Sequence, residues 1–220
     1  MIARPVLVIG NKNYSSWSLR PWLLLRQHGV AFDEVRLSLD TPEFANGIRR
    51  WSPSGRVPAL RHGDLTIWDS LAICEYVGET FLGGSGWPAD VAARAIARAV
   101  SAEMHSGFAA LRGGLPMDCR RRVSGFVADV AAQRDIARVC ALWRDCRARF
   151  GANGDFLFGA FSIADAMYAP VASRFVTYGV ELDEGARAYV DALLALPALQ
   201  DWLREAAAEV ETLPRTDTIV

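Results

Sequence analysis

The sequence lacks the features that mark several classes of protein. Its formal net charge is only −1 and its pI is near 6.3, so it has no strong basic field for nucleic acid. No apolar stretch reaches the length of a membrane span. The first residues, with one arginine before a short apolar run, do not resemble a signal peptide. We therefore predict neither a nucleic-acid partner nor a membrane partner.

Cysteine is scarce, and its spacing is uninformative. The four cysteines form neither a C-x-x-C pair nor a spacing typical of metal ligands. Cys74, Cys140 and Cys146 lie in helical patterns, and we interpret them as small buried apolar side chains. These observations predict a cytoplasmic location and no bound metal. The arginines at 120–122 are interpreted as a solvated helix face or helix end.

The first part of the chain alternates between strand and helix patterns. An apolar run at Val6–Ile9 is followed by a leucine-rich segment that ends at Gly29 and by an alternating run at 32–39. A hairpin pattern then covers residues 57–68, and an amphipathic helix covers 71–81. The sequence thus predicts an α/β unit of βαβ followed by ββα.

The second part shows only helical spacing. A glycine-rich stretch opens the predicted linker at 83–90. We predict a domain at 1–82 and an all-helical domain at 91–220. The predicted helices of this domain cover residues 91–111, 123–150, 161–176, 185–196 and 197–210.

A serine-rich stretch follows the first strand. Proline is tolerated only in the first turn of a helix, so Pro21 predicts that the helix begins at about Ser18 or later. Ser15 and Ser16 then lie just outside its N-terminus, where backbone donors and the helix dipole stabilise an anion such as a thiolate. The alternative is that one serine is only an N-cap.

Two further pairs of residues have both a structural and a functional interpretation. Pro58 stands at the start of a strand, where one solution is a cis Val57–Pro58 bond that turns the backbone of Val57 toward a bound peptide. The alternative is a trans proline at a strand end, which base rates alone favour. Asp69 and Ser70 form a good N-cap, and they could also hold the ammonium and carboxylate of an α-amino acid.

A third motif is interpreted as structural. Ser162 and Asp165 have capping-box spacing before an apolar helix that contains Pro170.

These motifs together resemble the cytosolic glutathione S-transferases, of a bacterial, serine type closest to the zeta-like classes. The resemblance covers nearly the whole chain and rests on the segments at 15–20, 52–60, 69–76 and 161–165. It implies a thioredoxin-like N-terminal domain and an all-α C-terminal domain. Trp17 stands where the zeta pattern has cysteine, and Asp69 stands where glutamate or glutamine is more usual.

The resemblance also implies roles for individual residues. Ser15, with Ser16 as the fallback, would hold the glutathione thiolate, and no general base would be needed. Val57, before an expected cis-Pro58, would pair with the cysteinyl backbone of glutathione. The remaining glutathione contacts would come from Asp69 and Ser70 at the γ-glutamyl end and from Arg56 at the glycyl end.

The second-substrate pocket would lie between the domains. Its candidate residues are Trp17, His105 and Phe108, although a lone histidine on a helix is more often packed or solvated. The family also implies a homodimer, for which Trp87 and Trp143 offer apolar area.

Two classes of function follow from these expectations. The first is a glutathione transferase, with glutathione as co-substrate and a small electrophile, or a related glutathione-dependent isomerase or peroxidase. The second is a non-catalytic binding module that keeps the fold. Ser15, Ser16, Asp69 and Ser70 favour the first, because a scaffold has no need of them together.

Overall fold

A computed structural model describes residues 4–217, with the side chains of Arg215 and Asp217 excepted. Its four short strands form one mixed sheet in the order β2-β1-β3-β4. The pair β1 and β2 is parallel, and the other two pairs are antiparallel. The strands are β1 (Val6–Ile9), β2 (Asp33–Arg36), β3 (Ala59–His62) and β4 (Leu65–Trp68).

Three helices belong to the part of the chain that contains the sheet, and the described residues after it are helical or irregular. The helices are α1 (Ser16–Gln27), α2 (Pro42–Ile48), α3 (Ser70–Thr80), α4 (Val91–Ser106), α5 (Ala109–Gly114), α6 (Val130–Phe150), α7 (Ile163–Thr177), α8 (Glu184–Leu194), α9 (Pro197–Ala208) and α10 (Pro214–Asp217). The predicted fold class is confirmed. The boundaries 1–82, 83–90 and 91–220 stay a prediction.

The main apolar core is continuous across the two parts. It runs from Leu7 in β1 through Leu23 in α1 to Met167 in α7, and all three side chains are fully buried. Helix α7 is apolar on nearly every face, as expected of a central helix. Helix α1 therefore lies between the sheet and the helical part, and the position of its N-terminus depends on both.

Helix α1 begins earlier than Pro21 predicted. It starts at Ser16, and the amide of Leu19 already donates to the carbonyl of Ser15 at 3.1 Å. Pro21 thus lies in the second turn, at a cost on the order of 3 kcal/mol. Burial of the leucines at 19 and 23–25 outweighs it, because each fully buried leucine contributes roughly 1.5–3 kcal/mol.

The predicted helix at 91–111 is broken after Ser106. Phe108 adopts a left-handed conformation with φ of 56°, and a β-carbon on Gly107 would lie 2.7 Å from the carbonyl oxygen of Glu103. The predicted helix at 123–150 begins only at Val130, where Asp129 caps it.

The interpretation of residues 120–122 as part of a helix is also wrong. They lie in an irregular segment, and Arg120 is half-buried and donates to the Tyr14 hydroxyl at 2.8 Å.

The burial of the tryptophans and cysteines tests several of the predictions made for them. Trp87 and Trp143 lie in the core, so neither offers surface for a dimer. Cys74 and Cys146 are buried as predicted, whereas Cys140 is half-buried. Among residues 4–217, no helix combines the length and the apolar character needed to cross a bilayer.

The predicted capping interaction at the start of α7 is confirmed. The buried carboxylate of Asp165 accepts the backbone N–H groups of Ser162 at 2.9 Å and Leu157 at 3.1 Å. It also accepts the hydroxyls of Ser162 and Tyr189, each at 3.0 Å. Burial raises the pKa of Asp165 to about 6, and these four donors oppose that rise.

We predict that Asp165→Asn destabilises the protein. Either orientation of the new amide leaves a buried backbone N–H, of Leu157 or of Ser162, facing an NH₂ group. The free energy of unfolding should fall by about 1–3 kcal/mol, as measured by urea unfolding at pH 7. Asp183→Asn is the matched control, because Asp183 caps α8 from an exposed position and asparagine caps equally well. Equal losses in the two variants would contradict the role assigned to Asp165.

Candidate functional site

The loop between β1 and α1 carries the candidate serines. We call residues 10–15 the serine loop. The carbonyl of Asn11 accepts the amides of Tyr14 at 3.2 Å and of Ser15 at 2.8 Å, which closes a turn directly before the helix. The serine loop therefore delivers Ser15 to the N-terminus of α1 from the end of a central strand.

Ser15 occupies the N-cap position but does not cap the helix. Its side chain makes no capping hydrogen bond. Instead, its hydroxyl donates to the Ser18 hydroxyl at 2.7 Å, and Ser18 Oγ also accepts the amide of Gly10 at 3.1 Å. The interpretation of Ser15 as only an N-cap is therefore not supported. Ser18, which the sequence did not single out, keeps the Ser15 hydroxyl at the helix end.

Ser16 is the first residue of α1 and has a different partner. Its Oγ accepts from Arg174 Nη2 at 3.1 Å. Arg174 lies in α7, is buried, and donates through Nη1 to the carbonyls of Arg112 and Leu115. Burial lowers the pKa of Arg174 to about 10, so it stays charged at neutral pH. A buried cation thus lies beside the second candidate serine.

Arg20, in α1, connects the region of the two candidate serines to the predicted pair Asp69 and Ser70. It is 3% exposed, and its Nη1 donates to Ser70 Oγ at 3.1 Å. Its guanidinium lies 4.3 Å from the centre of the Trp17 ring. Within the described chain, the buried Arg20 Nε has no hydrogen-bond partner. Burial lowers the pKa of Arg20 to about 9, and the nearby Arg174 also lowers it, so the group remains cationic at pH 7.

Asp69 and Ser70 form the N-terminus of α3, as predicted. Asp69 Oδ1 accepts the amides of Leu71 at 2.9 Å and Ala72 at 3.2 Å, while Oδ2 lies 3.1 Å from His105 Nε2. Asp69 has a φ of 80°, a conformation rarely adopted by residues other than glycine. One carboxylate oxygen therefore caps the helix, and the other faces the helical part of the chain.

The structure joins Trp17 and His105 in one cluster. Their rings meet edge to face at 5.1 Å, and the guanidinium of Arg112 lies 5.3 Å from the centre of the Trp17 ring. The His105 side chain is thus 26% exposed and contacts both the Trp17 ring and Asp69. Phe108 is buried in the core three residues further on.

The third predicted segment precedes β3. The Val57–Pro58 bond is cis, which confirms that prediction. Val57 packs against the small cluster around Val8, Ile48 and Ala59, and Pro58 is buried. Arg56 is exposed.

Arg112 and Arg174 were not predicted from the sequence to belong to the site. They lie in α5 and α7, so only the fold reveals that Arg174 reaches Ser16 and that Arg112 lies beside the Trp17 ring. One signal was available for Arg174, which is a charged residue inside the apolar run of α7.

The arrangement is suited to an anion. Two helix N-termini are linked through Arg20, and Arg112 and Arg174 add positive charge from the helical part. The unpaired Arg20 Nε is an additional buried donor in the same region.

Comparison with known proteins gives matches across the chain. Residues 14–80 match the N-terminal domain of glutathione S-transferases, and residues 92–205 match the C-terminal domain. A glutathione transferase homologue from Burkholderia, solved with bound glutathione, superposes with a TM-score of 0.72 at 23% identity, covering 94% of this chain and all of that one. That likeness concerns the fold.

Two curated relatives match over shorter regions. Dichloromethane dehalogenase from Methylorubrum extorquens is 40% identical over 60 residues, 26% of this chain and 21% of that protein. Maleylacetoacetate isomerase from Rattus norvegicus is 33% identical over 112 residues, 50% of this chain and 51% of that protein. The chain thus spans about a fifth to a half of these relatives. Because both domain models match in order, the chain belongs to the glutathione S-transferase family, with zeta-like relatives.

Proposed function

We propose that the protein is a glutathione transferase that binds glutathione as a co-substrate and activates its thiol for attack on a small electrophile. The observation that carries this proposal is the bond from Arg20 to Ser70, which joins α1, at whose N-terminus the serines lie, to the N-terminus of α3. A ligand with a thiolate at one end and an α-amino acid at the other can occupy both places.

The proposed binding contacts follow the order of the chain. The backbone of Val57, before cis-Pro58, pairs with the cysteinyl unit, and the exposed Arg56 contacts the glycyl carboxylate. Ser70 and the α3 N-terminus hold the γ-glutamyl carboxylate, and Asp69 holds the ammonium. The support for the last contact is that Asp69 Oδ2 is free of the capping bonds that Oδ1 makes.

The free energy needed to ionise the bound thiol at neutral pH can be compared with the contributions of the hydroxyl donor, the helix end and the arginines. Lowering a thiol pKa of about 8.5 by two units requires roughly 2.7 kcal/mol. A hydroxyl donor to an anion contributes about 1.5–3 kcal/mol, but Ser15 must first leave Ser18, a neutral bond of about 0.5–1.5 kcal/mol. The helix end adds roughly 0.3–1 kcal/mol. We infer that the charges of Arg20, Arg112 and Arg174 supply the remainder.

A glutathione-dependent isomerase is the second candidate, favoured by the same arginines. Arg112 and Arg174 add positive charge beside Ser16 and Trp17, which suits a substrate with a carboxylate. The similarity to maleylacetoacetate isomerase supports an isomerase function. Trp17 in place of the zeta-type cysteine counts against that function.

Binding to immobilised glutathione, followed by turnover with a generic aryl halide, separates a transferase from a non-catalytic module. A glutathione-dependent peroxidase would instead turn over a hydroperoxide.

We also propose a cytoplasmic homodimer in which the first domain of one chain contacts the second domain of the other. Leu65 and Trp68 on β4 are each about half exposed, and Val91 at the start of α4 is 70% exposed. These side chains supply apolar surface on both predicted domains.

The first prediction of this proposal concerns Ser15. Ser15→Ala removes a charge-assisted hydrogen bond, so the bound thiol's pKa should rise by about one to two units. Turnover at neutral pH should fall about ten- to a hundredfold, with the loss shrinking as pH rises. Glutathione affinity should change much less. The measurement is turnover and affinity against pH.

Ser16→Ala is the control for this assignment. If only Ser16→Ala alters the pH profile, Ser16 is the residue that contacts the thiol. If neither variant changes it, the helix end and the arginines stabilise the thiolate without a serine.

The second prediction concerns the dimer. Sedimentation at micromolar concentration should show a species of twice the chain mass, and Trp68→Glu should shift it toward 24.1 kDa, because a buried unpaired charge disfavours association. His28→Glu, at an exposed position just after α1, should leave the mass unchanged. A parent protein that sediments as a single 24.1 kDa species would exclude the dimer.

The third prediction concerns Asp69 and His105. Burial lowers the pKa of His105, and the carboxylate of Asp69 partly restores it. At pH 7 a neutral His105 donates to Asp69, which keeps its negative charge for the ligand's ammonium. Asp69→Asn should therefore lower the pKa of His105 further, as followed by NMR titration of the imidazole. His28, whose pKa is also lowered by burial, should not respond. A rise at His105 would show that the two groups are not coupled in this way.

A further inference from the structure

The serine loop is held by the helical part of the chain through its backbone. The amide of Lys12 donates to Glu209 Oε1 at 2.7 Å, and the amide of Asn13 donates to Glu209 Oε2 at 2.9 Å. The carbonyl of Lys12 accepts Trp202 Nε1 at 2.9 Å, and the carbonyl of Asn13 accepts the amide of Cys119 at 3.2 Å. Both amides and both carbonyls of Lys12 and Asn13 are thus hydrogen-bonded to residues that lie about 100 to 200 positions away in the sequence.

Glu209 makes the central contact. It follows α9, its side chain is 8% exposed, and both of its carboxylate oxygens are used by successive amides of the serine loop. Hydrogen bonds from backbone amides to a carboxylate are charge-assisted and roughly twice as strong as neutral ones. Because each carboxylate oxygen accepts a different amide, the orientation of the serine loop is also fixed relative to Glu209. Glu209 therefore restrains both the position and the order of the loop.

The side chain of Lys12 strengthens the same contact. It is 3% exposed and pairs with Glu34 at 2.8 Å and with Glu205 in α9. Its ammonium also lies 5.0 Å from the centre of the Trp22 ring. A buried cation with two carboxylate partners and an aromatic face is fully compensated, so the loop cannot move at Lys12 without breaking several interactions.

We propose that Glu209 is a positioning residue for thiol activation, acting through the serine loop. This inference rests on the proposed function. Ser15 follows Asn13 by two residues, and its own amide bonds back into the loop at Asn11. Fixing the amides of Lys12 and Asn13 therefore fixes the entry of the chain into α1 and the place of the Ser15 hydroxyl. A displacement of about 1 Å in such a group can cost up to a hundredfold in rate.

The sign of the effect separates positioning from simple electrostatics. Glu209 is negatively charged, so neutralising it would by Coulomb's law favour a thiolate and lower the thiol's pKa. Loss of positioning does the opposite, because Ser15 no longer meets the sulfur. Glu211 offers a matched control. Its carboxylate binds Arg36 at 2.7 Å and Ser38 at 3.2 Å and makes no bond to the amides of the serine loop.

The experiment compares the full-length parent with Glu209→Gln, Glu209→Asp and Glu211→Gln. The pKa of bound glutathione is read from thiolate ultraviolet absorbance, and kcat/KM is measured with a generic aryl halide. We expect Glu209→Gln to raise the thiol's pKa by about one unit and lower kcat/KM about tenfold at neutral pH. Glutathione affinity should change less than threefold. Glu211→Gln should match the parent, and Glu209→Asp, which keeps the charge but withdraws it by one methylene, should fall between.

Hydrogen exchange provides a readout that does not depend on activity. In ligand-free protein, the amides of Lys12 and Asn13 should exchange faster in Glu209→Gln than in Glu211→Gln, while the core amides of α7 stay protected in both. Unchanged exchange, or an unchanged or lowered thiol pKa in Glu209→Gln, would overturn the inference. A parent that does not lower the thiol's pKa would overturn the proposed function instead.

Discussion

The site depends on a buried guanidinium. Arg20 is almost completely removed from water, and desolvating a cation costs several kcal/mol unless neighbouring groups replace its hydration. Ser70 supplies one acceptor and the Trp17 ring supplies one face. No carboxylate forms an ion pair with Arg20 among the described residues. This incomplete compensation supports our proposal that the region binds an anionic ligand, since a bound anion would supply the charge that the protein leaves out.

The burial of Arg20 depends on both parts of the chain. Arg20 lies in the second turn of α1, and α7 packs against α1 in the shared apolar core, which lowers the dielectric constant around the guanidinium. Arg174 reaches Ser16 from that helix, and His105 reaches Asp69 from α4. Ser16 and Asp69 thus each have a partner from the helical part, so the surroundings of these two residues depend on both parts of the chain.

The sequence predicted those structural features that depend on a few adjacent residues. The first strand, the hairpin, the N-cap at Asp69 and the capping box at Asp165 were all readable, because a few adjacent residues determine them. The start of α1 was not, because burial of its leucines overrides the cost of Pro21. The approach of Arg112 to Trp17 and of Arg174 to Ser16 was also not predictable. It is produced by packing between residues about 100 or more positions apart, and no spacing in the sequence reports it.

Trp17 shows how a departure from the family pattern can fit the electrostatics of the site. A cysteine at this position would leave the Arg20 guanidinium without an aromatic face, whereas the indole accepts Arg20 at 4.3 Å and Arg112 at 5.3 Å. The ring also meets His105 edge to face. An indole face that contacts two guanidiniums stabilises their charged forms. Trp17 therefore helps to keep Arg20 and Arg112 cationic in the region where our proposal places the thiolate. An indole at this position fits a site whose positive charge comes from arginines.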